Sequence, residues 1–240
     1  MIYRFDTLTS TNDEAFNPRY REGDVILAEQ QTLGRGQRGH KWIGGEGENL
    51  MFTMLFEPRF LPPVRQFFLS EAVALALVDA MRKWGIEAKI KWTNDIYVGD
   101  RKLVGILIEH KLSEGKMCRS IAGIGLNVNQ LVFDASLPNP ISMAQATGQQ
   151  FDREEVLCSL VECLQARYRQ LREGSVEAFH EEYCRRLYRL DEEHWFARPD
   201  GERFRGIIRG VDISGALKVE EGEGKVNSYM FKEIEFVLKN

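Results

Sequence analysis

Residues 34 to 47 read GRGQRGHKWIGGEG. Six of these positions are glycine, and three, Arg35, Arg38 and Lys41, are fixed cations. No acidic residue falls between Gln30 and Gly45, although the chain as a whole carries a net charge of −4. Glycine lets a backbone adopt left-handed conformations and approach a ligand closely. Arginine adds forked donors for phosphate or carboxylate. The stretch reads as a cationic loop for an anionic small ligand, with a plain surface loop as the bland alternative. Gly34, Gly36 and Gly39 satisfy G-x-G-x-x-G, but that fingerprint needs a helix opening at its last glycine. Here His40-Lys41-Trp42-Ile43-Gly44-Gly45 follows, which no stable helix tolerates. The next regular element is the apolar run Asn49 to Phe56, of strand length. Strand, loop, strand excludes the dinucleotide-binding order. A P-loop fails because His-Lys follows Gly39. The protein-kinase glycine loop does lie between strands, but no kinase catalytic or metal-binding signature occurs downstream.

Working outward, 240 residues allow one large domain, or one domain plus a small one. A hydrophobic content of 43% and a charged content of 28% are ordinary for a globular protein. No run approaches the ~18 apolar residues of a membrane span, and MIYRFDTLTSTNDE lacks a signal-peptide core. Cys118, Cys158, Cys163 and Cys184 form no C-x-x-C pair, so reduced thiols in a cytoplasmic protein are expected rather than a zinc site. The acidic balance argues against a nucleic-acid surface.

Local signals place the elements. Thr11 and Glu14 fit a capping box for a short helix at Ser10-Thr11-Asn12. Asp24 to Glu29 reads as a strand entering the loop, and Asn49 to Phe56 as a buried central strand. Ser70 to Trp84 is a helix with Val73, Leu77 and Met81 inward and Gly85 as its C-cap. Ala88 to Trp92, Leu103 to His110 and Met117 to Leu126 read as strands. Asp152 and Glu155 cap a long helix ended by Gly174, and Val176 to Leu187 is another. Beyond Leu187, Pro199-Asp200-Gly201, Ser214-Gly215 and Glu221-Gly222-Glu223-Gly224 punctuate short β-like runs. They predict a small β-barrel or sandwich that must pack on the larger unit.

Three further motifs follow the loop. Lys91-Trp92-Thr93-Asn94-Asp95 and Arg101-Lys102-Leu103-Val104-Gly105 lie on successive strands, so two lysines near one sheet edge can address one anion. A hairpin with a solvated Asn-Asp turn explains the same residues equally well. Gly123-Ile124-Gly125-Leu126-Asn127 allows close approach to a strand, and Asn127 can bond a nucleotide or simply end the strand. The Ser10-Thr11-Asn12 hydroxyls and amide can bind a polar ligand or cap a helix.

Taken in order, Ser10-Thr11-Asn12, Gln31 with GRGQRGHKW, KWTNDI with RKLVGIL, and GIGLNVN resemble the biotin protein ligase family, also called biotin–acetyl-CoA-carboxylase ligase. The resemblance spans at least residues 8 to 129. Gly206-Ile207-Ile208 and Gly210-Val211-Asp212 look like that family's C-terminal SH3-like domain. It implies an α/β (α+β) fold: a class II aminoacyl-tRNA-synthetase-like mixed sheet flanked by helices over 1–187, plus a small SH3-like β-barrel over 188–240. Members that repress transcription carry an N-terminal winged helix, so this chain resembles the non-repressor class. The expected partner is a biotin carboxyl carrier protein or domain, with no DNA and no membrane, and the expected state is a monomer or weak homodimer.

The implied reaction joins biotin and ATP to biotinyl-AMP, then transfers biotin to a carrier lysine, with ATP and Mg²⁺ as co-substrate and metal. A lipoate-type ligase and a non-catalytic nucleotide-binding or biotin-binding module are the alternatives. By resemblance, Ser10, Thr11, Asn12 and Gln31 bond the ureido ring, with Gly34, Arg35, Gly36, Gln37, Lys102 and Gly105 completing the biotin site. Arg35 and Lys102 hold the biotin carboxylate and α-phosphate, and Lys91 and Mg²⁺ serve the phosphates. Arg35, Gln37, Arg38, Trp42, Lys91, Asn94 and Asn127 form the adenylate site, with Trp42 covering the adenine. Asp95 orients or deprotonates the incoming lysine, or binds the metal. The family often has arginine at position 37 and proline at 93, where this chain has Gln37 and Thr93. Gln37 then leaves adenylate retention to Arg35, Arg38 and loop closure. Gln37→Arg is expected to slow adenylate dissociation; equal rates from the variant and wild type would refute that role.

Overall fold

Leu50–Phe56 reads LMFTMLF and forms a strand in which all seven residues are buried. A strand with no wet face needs cover on both sides. Leu50, Phe52, Met54 and Phe56 join the main core, while Leu55 joins a smaller cluster with Ala15, Tyr20, Ile26 and Ile121. The computed structural model describes residues 1–36, 42, 44–45, 47–174, 176–222 and 224–238. Gln37, Arg38 and Lys41 therefore lie outside the described residues.

Among the described residues, the first sheet has seven strands: β1 (Ile2–Leu8), β2 (Val25–Gln31), β3 (Leu50–Phe56), β4 (Lys89–Lys91), β5 (Asp95–Val98), β6 (Arg101–Ser113) and β7 (Lys116–Leu126). Their order is β1-β2-β3-β7-β6-β5-β4. β1 and β2 run parallel, and the other neighbours are antiparallel. One face carries α2 (Phe67–Lys83), which packs on α4 (Arg153–Glu173) and α5 (Val176–Arg185). α3 (Met143–Thr147) is a single short turn. Among the described residues, α1 (Thr11–Ala15) packs on the opposite face, over β2, β3 and β7.

The predicted strands and long helices appear within a few residues of their expected bounds. β1, β5 and α3 are additions. The expected Asp152 cap is present, its Oδ1 accepting from the Glu154 and Glu155 amides at 2.7 and 3.4 Å. The Thr11–Glu14 capping box is not. Ser10 is the N-cap residue and makes no side-chain cap bond. The Glu14 carboxylate goes instead to Arg19 and the Tyr20 hydroxyl, both at 2.7 Å.

The C-terminal strands β8 (Glu193–Ala197), β9 (Arg203–Val211), β10 (Leu217–Glu221), β11 (Lys225–Tyr229) and β12 (Glu235–Phe236) form an antiparallel sheet in the order β11-β10-β9-β8-β12. The pairings among the described residues do not close it into a barrel. As its size requires, it shares a core with the larger unit through Phe196, Ile208, Val211, Leu217, Val219 and Ile234.

Two polar ties cross the junction. Trp92 Nε1 donates to Gly215 O at 2.9 Å. On α5, His180 has Nδ1 2.6 Å from Glu71 Oε1 and Nε2 2.9 Å from Val211 O. Both ring nitrogens face acceptors, so the geometry selects the imidazolium. The Cys184 sulfur and the Glu71 carboxylate together push the His180 pKa up to about 10, although burial pushes the Glu71 carboxyl up as well. A base with a raised folded-state pKa stabilises the fold fully below its unfolded value, and that stability is lost as pH rises through the folded value. The melting-temperature advantage of wild type over His180→Gln is therefore expected to be largest near pH 6 and to shrink as pH approaches about 10. A constant difference across that range, measured by thermal unfolding, would exclude the imidazolium tie.

Candidate active site

Beside α1, the same face of the sheet is floored by glycine. Gly105 pairs with Gly125 across β6 and β7, Gly125 with Met51 of β3, and Gly123 with Leu107 and Thr53. A Cβ on Gly125 would stand 2.3 Å from the Trp42 ring, and one on Gly105 2.9 Å from it. Only a strand stripped of side chains lets a flat group lie on the backbone, and here the Trp42 indole occupies that surface. The base of the loop is pinned beside it by the Trp42 amide donating to Gly34 O at 3.0 Å.

The closed end of this inner pocket is polar and neutral. The Thr11 amide donates to Gln31 Oε1 at 2.7 Å. Thr53 stands 2.8 Å from the Thr11 hydroxyl and donates to Asn12 Oδ1 at 2.6 Å. With one proton per hydroxyl, Thr53 serves either Asn12 or Thr11 at any moment, and the Thr11 hydroxyl lies 3.2 Å from Gln31 Oε1, to which it donates. Asn12 Nδ2 donates to Leu107 O at 3.3 Å and Glu109 Oε2 at 2.8 Å. Both Nδ2 hydrogens of Asn12 are thus engaged by the protein, while its Oδ1 accepts from Thr53 and keeps capacity for one further donor. The Ser10 hydroxyl and Gln31 Nε2 make no hydrogen bond among the described residues, and both residues line the pocket.

The mouth carries the cations. Arg35 Nη2 lies 2.7 Å from Asp13 Oδ1 and 2.9 Å from Glu109 Oε2. Lys102 Nζ lies 2.7 Å from Asp95 Oδ1 and 5.9 Å from the centre of the Trp42 ring. Asn94 is engaged, donating to Ile106 O at 2.7 Å and accepting from Thr93 Oγ1 at 3.0 Å. The Trp92–Thr93 peptide preceding it is cis.

The free space in the inner pocket is about 50 Å³ with the indole in place. It opens, past Gly36, Trp42, Asn94 and Lys102, onto an outer cavity of about 700 Å³. Lys91 lines the outer cavity, with its ammonium 5.2 Å from the Tyr97 ring centre and 4.8 Å from that of Phe236. Burial pushes the Tyr97 phenol up to about 12, so that wall stays uncharged. Asn127 donates to Ile141 O at 3.0 Å and is one of the residues lining the cavity; its Oδ1 makes no hydrogen bond among the described residues. Phe231, Ile234 and Leu238 of the C-terminal segment add an apolar side.

The structure therefore brings Ser10, Thr11, Asn12, Gln31, Arg35, Gly36, Trp42, Asn94, Lys102 and Gly105 to one pocket, and Lys91, Asp95 and Asn127 to the adjoining cavity. Gly34 supports the loop base without lining the pocket. Sequence reasoning missed Thr53, Glu109 and Asp13. The first had a visible signal, a single hydroxyl inside LMFTMLF; the second had a weaker one, an acid ending GILIE. A ligand with a neutral hydrogen-bonding head, a flat ring and an anionic tail matches this layout, with space beyond for a larger anionic co-substrate.

Residues 2–127 match the model of the biotin/lipoate A/B protein ligase family. The bifunctional ligase/repressor BirA of Escherichia coli K12 is 33% identical over 227 residues, 89% of this chain and 66% of that protein. The chain thus spans about two thirds of that relative's length. The biotin–[acetyl-CoA-carboxylase] ligase of Paracoccus denitrificans is 31% identical over 234 residues, 94% of this chain and 95% of that one. The biotin protein ligase of Aquifex aeolicus in complex with biotin and ATP has the same fold, with a TM-score of 0.84 at 24% identity over 99% of both chains. The chain belongs to the biotin/lipoate A/B protein ligase family.

Thr53→Val keeps the buried shape but leaves Asn12 Oδ1 without a donor. It is expected to cost about 1–3 kcal/mol of stability and to weaken ligand binding. Wild-type unfolding and wild-type affinity in that variant would show that the hydroxyl chain is not needed.

Proposed function

We propose that the protein is an ATP-dependent, AMP-forming ligase that activates biotin and transfers it to a lysine of a biotin carboxyl carrier protein. The observation that carries this reading is the pocket itself: a neutral polar closed end, a glycine floor, and Arg35 and Lys102 at the mouth where it meets the outer cavity. The ureido ring, the fused thioether ring and the carboxylate of biotin follow that order. A lipoyl group would bring no hydrogen-bonding head to Ser10 and Gln31, leaving polar groups unpaired in a closed pocket, which is a strong ground for rejection. The near-complete overlap with the Paracoccus ligase supports the same choice.

In the first step, a biotin carboxylate oxygen attacks the α-phosphorus of ATP. A P–O bond forms, the bond from the α-phosphorus to the bridging oxygen breaks, and pyrophosphate leaves. Two anions must meet, so the site must neutralise both. Arg35 and Lys102 stand where the carboxylate and α-phosphate would converge, and Lys91 stands in the cavity that would take the rest of the triphosphate. Asn127 Oδ1 would accept from the nucleotide, and Trp42 borders both spaces, so its ring would cover the adenylate once it leaves the floor. In the second step, the carrier lysine nitrogen attacks the carbonyl of the mixed anhydride and AMP leaves. Asp95 is placed to orient that amine and take its proton. Gln37 and Arg38 would complete the loop over the adenylate.

No group of three His, Cys, Asp or Glu side chains among the described residues could hold a metal alone. Mg²⁺ commonly takes one or two carboxylates with phosphate oxygens and waters, so Asp95 fits a metal that arrives with the nucleotide. Bound there, the ion would supply charge neutralisation on the phosphates. We assign the catalytic unit to residues 1–187 and the small unit to 188–240. No helix among the described residues is long and apolar enough to cross a membrane, and the cytoplasm is the compartment inferred.

Incubation with biotin, ATP, Mg²⁺ and a carrier domain should raise the carrier's intact mass by one biotinyl group. Lys102→Ala is expected to abolish biotin-dependent pyrophosphate release while leaving the circular dichroism spectrum unchanged. Normal pyrophosphate release by that variant would overturn the assignment of Lys102.

A further inference from the structure

Glu109 lies on β6 two residues beyond Leu107, so it shares the ligand face of the sheet with Gly105. An acid is out of place beside a site for anions, because like charge repels the ligand. Its bonds show what it does there. One oxygen, Oε2, accepts from Asn12 Nδ2 at 2.8 Å and from Arg35 Nη2 at 2.9 Å. Asp13 Oδ1 holds the same Arg35 nitrogen at 2.7 Å. The other edge of the guanidinium, Nε and Nη1, makes no hydrogen bond among the described residues, and Arg35 lines the pocket. Asn12, the other partner of Glu109, is 3% exposed and fixed by Thr53 and Leu107.

Stability does not account for this arrangement. The Arg35, Asp13 and Glu109 side chains are 41%, 50% and 28% exposed, and ion pairs this wet contribute little. Orientation does account for it. A guanidinium is planar, so anchoring one nitrogen fixes the direction of the remaining edge. We propose that Glu109 is a positioning residue of the ligase reaction: by bonding the immobile Asn12 and Arg35 through one oxygen, it holds the Arg35 fork at the pocket mouth and leaves its free edge for the anionic end of the ligand. The inference rests on reading the pocket as the biotin site and goes beyond it by naming the group that aims Arg35.

Glu109→Gln keeps the size and an acceptor oxygen but removes the negative charge, so Asn12 and Arg35 meet a neutral acceptor and the charge-assisted hold on the guanidinium is lost. The test is biotin-dependent pyrophosphate exchange by wild type, Glu109→Gln, Arg35→Ala and the double variant, with thermal unfolding of each. Glu109→Gln is expected to raise the KM for biotin roughly tenfold, the scale of one charge-assisted hydrogen bond, with its melting temperature near wild type. In the Arg35→Ala background the same change should have no further effect on KM, because Glu109 acts through Arg35. A wild-type KM in Glu109→Gln overturns the proposal. So does an undiminished effect in the Arg35→Ala background, or a loss of melting temperature without a change in KM. Absence of biotin-dependent exchange in wild type would instead sink the reading of the site, so the two failures are separable.

Discussion

Everything at the site depends on a stretch of sheet from which side chains have been removed. Gly105, Gly123 and Gly125 fall on one face of two adjacent strands, in register with Met51, Thr53 and Leu107. The other face of the same strands carries Val104, Ile106, Ile124 and Leu126 into the main core. The alternation of a strand thus gives one sequence two duties, a dense support behind and a bare surface in front. The support matters because glycine-rich strands are weak in themselves. Here β7 is flanked by β3 and β6 over most of its length, and its apolar half is buried against helices. A flat ligand can therefore lie on backbone that does not give way.

That floor dictates the electrostatics around it. Backbone supplies no net charge, so the cations that meet the ligand must stand at the rim. Arg35 comes from the loop after β2 and Lys102 from the start of β6, and each rests against carboxylates, Arg35 on Asp13 and Glu109, Lys102 on Asp95. The wet pairs of Arg35 contribute roughly 0–1 kcal/mol. An incoming carboxylate or phosphate that bonds a free edge of the same cation therefore has little to displace. The carboxylates hold the cations in place without holding them closed. The Lys102–Asp95 pair adds a chemical relation: in the reaction proposed above, the carboxylate that neutralises the lysine would also be the one to receive the proton of an attacking amine.

The sequence made the framework legible where pattern and capping agree. The apolar run of β3, the stripe of α2 and the Asp152 cap of α4 are local signals, and each is present. Most residues that line the two cavities were also legible, because loop, lysine motif and glycine pair occur in a fixed order. What stayed hidden is what depends on distant partners. β5 is four residues long and gains its identity only from pairing with β4 and β6. The Thr11–Glu14 spacing fits a capping box, yet Thr11 is drawn into the Thr53 and Gln31 network and Glu14 into Arg19 and Tyr20. Asn12 reads as a polar site residue beside Ser10 and Thr11, and only the tertiary contacts show that both of its amide hydrogens go to Leu107 and Glu109. Glu109 lies 97 positions from Asn12 and 74 from Arg35, a separation no local pattern bridges.

The C-terminal sheet enters this scheme through its β9–β10 turn and its last strand. Gly215 presents its carbonyl to the Trp92 indole at 2.9 Å and packs so tightly that a Cβ there would meet the Phe67 ring at 2.6 Å. Trp92 is 6% exposed and sits between Lys91, which faces the outer cavity, and Asn94, which braces β6. A buried indole N–H without an acceptor is destabilising by about 1–3 kcal/mol, so the segment carrying Lys91 and Asp95 is fully satisfied only with the turn seated. Phe236, from the last strand, closes the other side of Lys91. The β9–β10 turn and the edge strand β12 thus reach the same few residues. The small unit is therefore a structural part of the cavity where the lysines stand, and its shared core with the larger unit is what keeps that wall in place.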